Sequence, residues 1–303
     1  MALIYFFAVL LRHKKVLKEE HSLTFARVVT DLFLPAIVFT NLAKQSVAFA
    51  QMKPALVMLF LELSLILIAW GISVALKFNK SQQGAIVFCS AFGSSTFLGY
   101  SLITQMYPDT PQALSEAVII SEIGVGYPIF ILGPILAAYF GSKKLGKSDW
   151  KASLSFFKSP VFFALIAGLL WSVLKLPGQE NVFVAPLFQL SSVLAAALTP
   201  VAILSVGLMF KIPKIRFIVI PLLIVILLKL FFKPMLANFC AVTLNFPDLW
   251  QEVLVILAAM PSAVLGVVFL RRYGGDASLA SALLLVTTLF SAISLLVIYY
   301  LFL

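Results

Sequence analysis

Long apolar runs separated by short polar segments dominate the sequence. A helix that crosses the hydrocarbon core of a bilayer needs about 20 mainly apolar residues, and nine runs meet that requirement. They lie near residues 23–43, 54–76, 84–107, 113–140, 160–176, 186–210, 215–243, 249–270 and 276–303. A tenth run, residues 1–11, is apolar but shorter, and basic residues follow it at once. The pattern predicts an all-α integral membrane protein with ten transmembrane helices, the first of them truncated.

The composition is typical of a chain whose main solvent is lipid. Hydrophobic residues make up 62% of the 303 residues and charged residues 11%, whereas a water-soluble domain devotes about 25% to charge. A net charge of +10 also occurs in nucleic-acid-binding proteins. The placement of the basic residues along the chain distinguishes that class from membrane proteins. They concentrate in alternate loops, and the intervening loops contain only Lys44, Lys53 and Lys175. The positive-inside rule then favours a multi-pass protein of the plasma (bacterial inner) membrane with both termini outside, and no nucleic acid as partner.

Helix-breaking residues recur at a nearly constant offset along the chain. The pairs are Pro35 with Pro200, Pro54 with Pro221, and Gly99 with Gly266. A unit of five spans is odd, so a second copy would enter the membrane from the opposite face. The pattern predicts an inverted five-plus-five repeat, with the first copy in residues 1–145 and the second in residues 146–303. Chance similarity between apolar helices is the alternative.

Two of the predicted spans carry the signals of interrupted helices. The fourth contains Gly93, Gly99 and a cluster of hydroxyls, and the ninth contains Pro261, which removes a backbone donor. Where a half-helix begins, its unpaired N–H groups and positive dipole end attract an anion. The candidate substrate-binding residues are Ser94, Ser95, Thr96, Gly99, Met260, Pro261 and Ser262. Alternatively, Pro261 makes a simple kink and the small residues pack helices together.

Ionisable residues within apolar spans are candidates for ion coupling, because a charge there is costly to insert. Glu62 and Lys229 are related by the repeat offset, so we expect them to pair, either structurally or in a cycle that a proton opens. Glu122 lies in a glycine-rich stretch of the fifth span and is the leading candidate for a proton-coupling carboxylate. Further intramembrane candidates are Asp31, Glu116 and Lys233. The position of Asp31 near the interface favours a structural role for it.

Enzymatic chemistry lacks the residues it needs. The only histidines, His13 and His21, lie in a basic loop, far from any serine that would need a base. Cys89 and Cys240 lie within spans and are predicted to be inert packing residues. The sequence contains neither a phosphate-binding loop nor a metal-spaced His or Cys cluster. We therefore expect no enzyme and no cofactor, and transport coupled to H⁺ or Na⁺.

Several segments resemble the auxin efflux carrier family, of the bile acid/arsenite/riboflavin transporter-like superfamily. They are residues 34–39, 97–99, 260–262 and 272–281. The resemblance implies broken, crossing helices 4 and 9, a transport domain that moves against a scaffold, and small carboxylates such as malonate, malate or auxin-like acids as substrates. The family's asparagine and proline in the fourth helix are replaced here at Ser94 and Ser101, which leaves the substrate open.

The expected function is secondary active transport of a small organic anion by alternating access, with the substrate at the crossing of helices 4 and 9. Membrane lipid is a further expected partner, and a homodimer is an expected assembly. Two alternatives stay open: a sodium-coupled symporter of the bile-acid type, and a channel or receptor that does not transport.

Overall fold

The computed structural model describes residues 2–44, 52–141, 160–209 and 215–302, and these residues form twelve helical segments. In chain order the segments are α1 (Ala2–His13), α2 (21–44), α3 (Met52–Ala75), α4 (Lys80–Ala91), α5 (95–106), α6 (111–141), α7 (Pro160–Val173), α8 (Ala185–Met209), α9 (215–243), α10 (Asp248–Ala258), α11 (Val264–Tyr273) and α12 (Ala277–Phe302). Apart from one isolated bridge between Gly93 and Ser262, the regular structure of the described residues is helical.

The prediction of an all-α integral membrane fold is confirmed. Six helices of the described chain are long and apolar enough to cross a bilayer: His21–Thr40, Met52–Ala75, Gln112–Gly141, Ala185–Leu208, Ile218–Thr243 and Ala277–Phe302. The count of ten crossings, the inverted repeat and the side on which the termini lie stay predictions. The expected boundary between the two repeats, at residues 145 and 146, lies outside the described residues.

Four of the helices contain a wide π turn, and three of these turns share one cause. The π turns Val29–Phe33 in α2, Glu122–Gly126 in α6 and Leu227–Phe232 in α9 are each followed two residues later by a proline. The prolines are Pro35, Pro128 and Pro234. Proline cannot donate to the carbonyl four residues before it and clashes with that carbonyl, and the extra residue of a π turn moves the carbonyl aside.

The fourth π turn, Ser95–Gly99 in α5, has Ser101 in the place of the proline. This is also the position at which the sequence departs from the family pattern. The wide turn therefore persists without a proline, and it directly follows the break between α4 and α5.

Glycines bring α4, α6 and α11 into close contact in the core. Cβ atoms built at Gly84, Gly133 and Gly266 would each lie within 3.0 Å of a phenylalanine side chain on a neighbouring helix. The partner rings belong to Phe140, Phe269 and Phe88, all of them buried. Phenylalanine rings packed against glycine backbone thus hold the half-helices α4 and α11 against each other and against α6.

The close contact at Gly84 gives a stability test. A Cβ at this position would lie 2.7 Å from Cβ of Phe140, an atom close to the backbone that cannot move aside freely. Gly84→Ala should therefore lower the stability of the folded protein by about 1–3 kcal/mol, measured as a lower melting temperature of the purified protein in detergent.

Gly71→Ala is the matched control, because nothing lies within 4 Å of a Cβ built at Gly71. It should be neutral or slightly stabilising, since alanine favours a helix over glycine by about 0.8–1 kcal/mol. Equal melting temperatures for the two variants would contradict the packing described above.

Candidate functional site

Two unwound segments cross and pair with each other in the middle of the helix bundle. The α4–α5 break lies between Ala91 and Ser95, and the α10–α11 break lies between Ala258 and Val264. The backbone N–H of Ser94 donates to the carbonyl of Pro261 (2.8 Å), and the N–H of Ala263 donates to the carbonyl of Phe92 (2.9 Å). Both helix interruptions predicted from the sequence are therefore present, and they satisfy each other. We call this paired region the crossover.

Phe92 and Ala263, whose backbone groups take part in the pairing, have extended conformations. Phe92 has φ −76° and ψ 130°, and Ala263 has φ −78° and ψ 132°, so each chain presents its polar groups sideways as a β-strand does. Pro261 has no N–H to leave unpaired. Gly93 leaves room for a cation, because a Cβ there would lie 2.8 Å from Nζ of Lys229.

Two buried ammonium groups stabilise the end of α4. Nζ of Lys229 donates to the carbonyl of Ala91 (3.2 Å), and Nζ of Lys233 donates to the same carbonyl (2.9 Å). Ala91 is the last residue of α4, and carbonyls at a helix C-terminus lack helical partners and carry partial negative charge. The lysines are fully buried and supply positive charge where the helix break needs it.

The prediction that Glu62 pairs with Lys229 is wrong. The ion pair is formed by Lys233, whose Nζ lies 2.7 Å from Oε1 of the fully buried Glu62. Lys229 and Lys233 are four residues apart, so they lie at successive turns on the same side of α9, and both reach the carbonyl of Ala91. Lys233, one turn further along, is the one that also reaches Glu62 on α3.

Hydroxyl groups join α5 to α6 beside the crossover. Oγ of Ser121 lies 2.6 Å from Oγ of Ser95 and 3.1 Å from Oγ1 of Thr96. One helical turn after Thr96, the hydroxyl of Tyr100 donates to Oε1 of Glu122 (3.0 Å). The sequence reasoning missed Ser121 and Tyr100, although Ser121 directly precedes Glu122 and Tyr100 directly follows the predicted Gly99.

A small cavity of about 40 Å³ lies between the crossover, α6, and the helices α2 and α8. Its polar lining comes from Ser94, Thr96 and Glu122, and its apolar lining includes Phe130 and Leu198. Among the described residues, no lysine, arginine or histidine lines it. The first two residues of α11, Val264 and Leu265, also line the cavity, and N–H groups in the first turn of a helix have no partner within that helix.

Ser94 is the most distinctive group of this site. Its hydroxyl is buried and has no hydrogen-bond partner in the part of the chain that the structure describes. A second, mainly apolar cavity of about 70 Å³ lies between α8 and α12, and Ser94 and Val264 line this one as well. An unsatisfied buried hydroxyl is costly, so its position at two cavities points to a ligand that it would bind.

The remaining predicted site residues support the crossover. Ser262 donates to the carbonyl of Cys89 (2.7 Å), and its oxygen lies 3.1 Å from Oγ1 of Thr287. Pro261 accepts the Ser94 N–H, and Met260 is buried. Gly99 allows α5 to approach α10, since a Cβ there would lie 2.5 Å from Cδ2 of Leu257. The structure thus brings Ser94, Thr96 and Glu122 to the first cavity, while Ser95, Gly99, Met260 and Pro261 lie outside its lining.

Apolar helices with two crossing breaks and a cavity at the crossing define a membrane transport protein. The family model for membrane transport proteins matches residues 1–143 and 142–299, and the chain belongs to this family, which contains the auxin efflux carriers. The family resemblance noted in the sequence is thereby confirmed.

Relatives with the same general description cover most of the chain. An uncharacterized transporter of Methanocaldococcus jannaschii is 25% identical over 283 residues, which are 91% of this chain and 88% of the relative. One from Methanothermobacter thermautotrophicus is 26% identical, over 92% of this chain and 89% of the relative. The uncharacterized transporter YfdV of Escherichia coli K12 is 25% identical, over 89% and 87%.

The exchange of lysine partners can be tested by double-mutant cycles. Glu62→Gln combined with Lys233→Met should show a large coupling energy, because removing one member of a buried ion pair alone costs about 3–5 kcal/mol and removing both relieves part of that cost. The cycle of Glu62→Gln with Lys229→Met is the control. Thermal unfolding of the purified variants measures both cycles, and a larger coupling for Lys229 would overturn the assignment of the pair.

Proposed function

We propose that this protein is a secondary active carrier of small organic anions that binds a substrate carboxylate at the crossover. The observation that carries the proposal is the unpartnered Ser94 hydroxyl, buried beside a cavity onto which α11 begins. A hydroxyl alone would suit many ligands. Combined with the first turn of a half-helix, it suits an anion, because that end of a helix carries partial positive charge.

The charge of the cavity supports an anion without a basic side chain. The donors available to a carboxylate are the Ser94 and Thr96 hydroxyls and the first backbone N–H groups of α11. Hydrogen bonds to a charged group contribute about 1.5–3 kcal/mol each. A cation placed here would face the positive end of α11 and would find Glu122 as its one acidic partner in the described lining.

The lining of the cavity suits a small acid with a carbon skeleton. Ile129, Phe130 and Leu198 provide apolar surface across from the hydroxyls. Malonate, malate and auxin-like acids are the substrates that we would examine first.

Glu122 is the proposed proton-coupling group. Its side chain lies in a π turn, lines the cavity and accepts a hydrogen bond from Tyr100. Gly126 leaves space for the carboxylate, since a Cβ there would lie 3.1 Å from Oε2 of Glu122. An anion bound in the same cavity repels an ionised Glu122 and favours the protonated form, so anion binding and proton binding assist each other.

The backbone carbonyls at the crossover support proton coupling over the sodium-coupled alternative. A sodium site needs several oxygen atoms with free lone pairs directed at one point. Here the carbonyls of Ala91, Phe92, Pro261 and Cys89 already accept hydrogen bonds from lysines, backbone N–H groups and Ser262. The Nζ groups of Lys229 and Lys233 occupy the place beside the Ala91 carbonyl that a bound cation would take.

Alternating access would come from movement of the crossover past α2 and α8. Ile37 of α2 and Leu198 of α8 form the wall of the cavity that faces the crossover. At the far end of α11, Arg271 donates to Oγ of Ser22 (2.9 Å), and Arg272 lies 3.5 Å from Asp31. These contacts between α11 and α2 would have to break as the crossover moves. We place the protein in the plasma (bacterial inner) membrane with both termini outside.

Anion binding is tested with Ser94→Ala. The variant should bind the transported carboxylate roughly 10- to 100-fold more weakly, because it loses one hydrogen bond to a charged group, while the unliganded protein keeps its stability. Ligand-dependent melting shifts across a panel of mono- and dicarboxylates measure the affinity, and saturable counterflow in proteoliposomes measures transport.

Ser90→Ala is the control for this experiment, because the Ser90 hydroxyl is also buried and unpartnered among the described residues but does not line the cavity. Weaker binding in both variants to the same degree would contradict the site. No saturable counterflow with any acid, at any pH or sodium concentration, would favour the channel or receptor.

Proton coupling is tested with Glu122→Gln. The variant should exchange substrate across the membrane but lose uptake driven by a pH gradient, because glutamine cannot release a proton. Wild-type uptake should be unchanged when sodium is replaced by choline. Glu252→Gln is the matched control, since Glu252 also accepts a hydrogen bond from a tyrosine, Tyr107, away from the cavity. Sodium-dependent uptake would support the bile-acid type of symporter instead.

A further inference from the structure

A long apolar groove runs along the lipid-facing surface between α3 and α6. Its volume is about 520 Å³. We call it the α3–α6 groove and define it by Leu63, Leu67 and Trp70 on α3 and Ile135, Leu136 and Tyr139 on α6. It is separate from the two cavities at the crossover, and the transport proposal makes no use of it.

The two walls of the groove are parallel stripes. Leu63, Leu67 and Trp70 recur at helical spacing, and so do the residues on α6. The ring of Trp70 meets the ring of Tyr139 with centroids 5.9 Å apart, which fixes the ends of the stripes beside each other. From Leu63 to Trp70 the stripe on α3 rises about 10 Å, roughly two thirds of the half-thickness of a hydrocarbon core of about 30 Å.

Two lysines lie at the end of the groove that the aromatic rings mark. Nζ of Lys80 lies 4.1 Å from the centroid of the Tyr139 ring, so this ammonium is placed directly above the groove. Lys77, in the turn that joins α3 to α4, is exposed and has φ 58°. Lys80 is also the first residue of α4.

We propose that the α3–α6 groove binds an anionic phospholipid, with one acyl chain along the groove and the phosphate at Lys77 and Lys80. An apolar trough that ends in aromatic rings and then in cations matches the order of chain, interface and headgroup in such a lipid.

The experiment compares phosphatidylglycerol with phosphatidylcholine of identical acyl chains, added to the purified full-length protein in detergent. Phosphatidylglycerol should raise the melting temperature more than phosphatidylcholine does. The double variant Lys77→Gln/Lys80→Gln should lose that difference, with an affinity for phosphatidylglycerol about fivefold lower for each lysine removed. The double variant Lys77→Arg/Lys80→Arg should retain the difference.

Two controls separate the headgroup from general effects of charge and size. Lys175→Gln removes a lysine with φ 48° from a turn elsewhere and should leave the preference for phosphatidylglycerol intact. Ile135→Trp should fill the groove and weaken binding of both lipids, whereas Leu223→Trp on the exposed face of α9 should not.

Several outcomes would overturn the proposal. They are equal stabilisation of the wild type by the two lipids, a preference that survives in the Lys77→Gln/Lys80→Gln variant, and a preference that Lys175→Gln abolishes equally. A change of oligomeric state in Ile135→Trp, seen by light scattering with the lipid response unchanged, would assign the groove to a second copy of the chain. Because transport is not measured, failure here leaves the carrier proposal standing.

Discussion

The structure depends on one constraint: two helices are interrupted inside an apolar bundle, where the exposed backbone groups need partners that lipid cannot supply. In hydrocarbon each unsatisfied polar group costs several kcal/mol. The pairing of Ser94 with Pro261 and of Ala263 with Phe92 meets that cost by letting each break satisfy the other. The glycine–phenylalanine contacts that hold α4, α6 and α11 together then have a common purpose, which is to keep the two breaks in register.

The crossover also decides how charge is distributed around it. Its lysine-bearing side carries the carbonyl end of α4, and Lys229 and Lys233 neutralise that end. Its other side carries the first residues of α11, which line the cavity. The described lining of that cavity contains no basic side chain. The crossover therefore has lysine Nζ groups on one side, and on the other side it has the first backbone N–H groups of α11. Glu62 balances the first side, and we propose that a substrate anion balances the second.

Much of this arrangement could be predicted from the sequence, because hydropathy and helix-breaking residues act locally. The apolar runs predicted the helical membrane fold, Pro261 and the Gly93–Thr96 region predicted the breaks, and Glu122 was identified from its unusual position in a span. The choice of Lys233 as the partner of Glu62 could not be predicted, because it depends on how α9 lies against α3, which a constant offset between the two halves does not encode. The contacts of Ser121 and Tyr100 were missed for a related reason: they depend on how α5 lies on α6, and no local pattern encodes that.

The π turns ahead of Pro35, Pro128 and Pro234 have a consequence for any comparison between the two halves of the chain. Each π turn adds one residue, and one residue corresponds to about 100° around a helix. An alignment of the halves at a constant offset is therefore correct only between successive π turns, and beyond each of them it points to a different helix face. Engineering that copies a side chain from one half to its counterpart must restart the numbering at every wide turn, or the transplanted group will face lipid instead of the core.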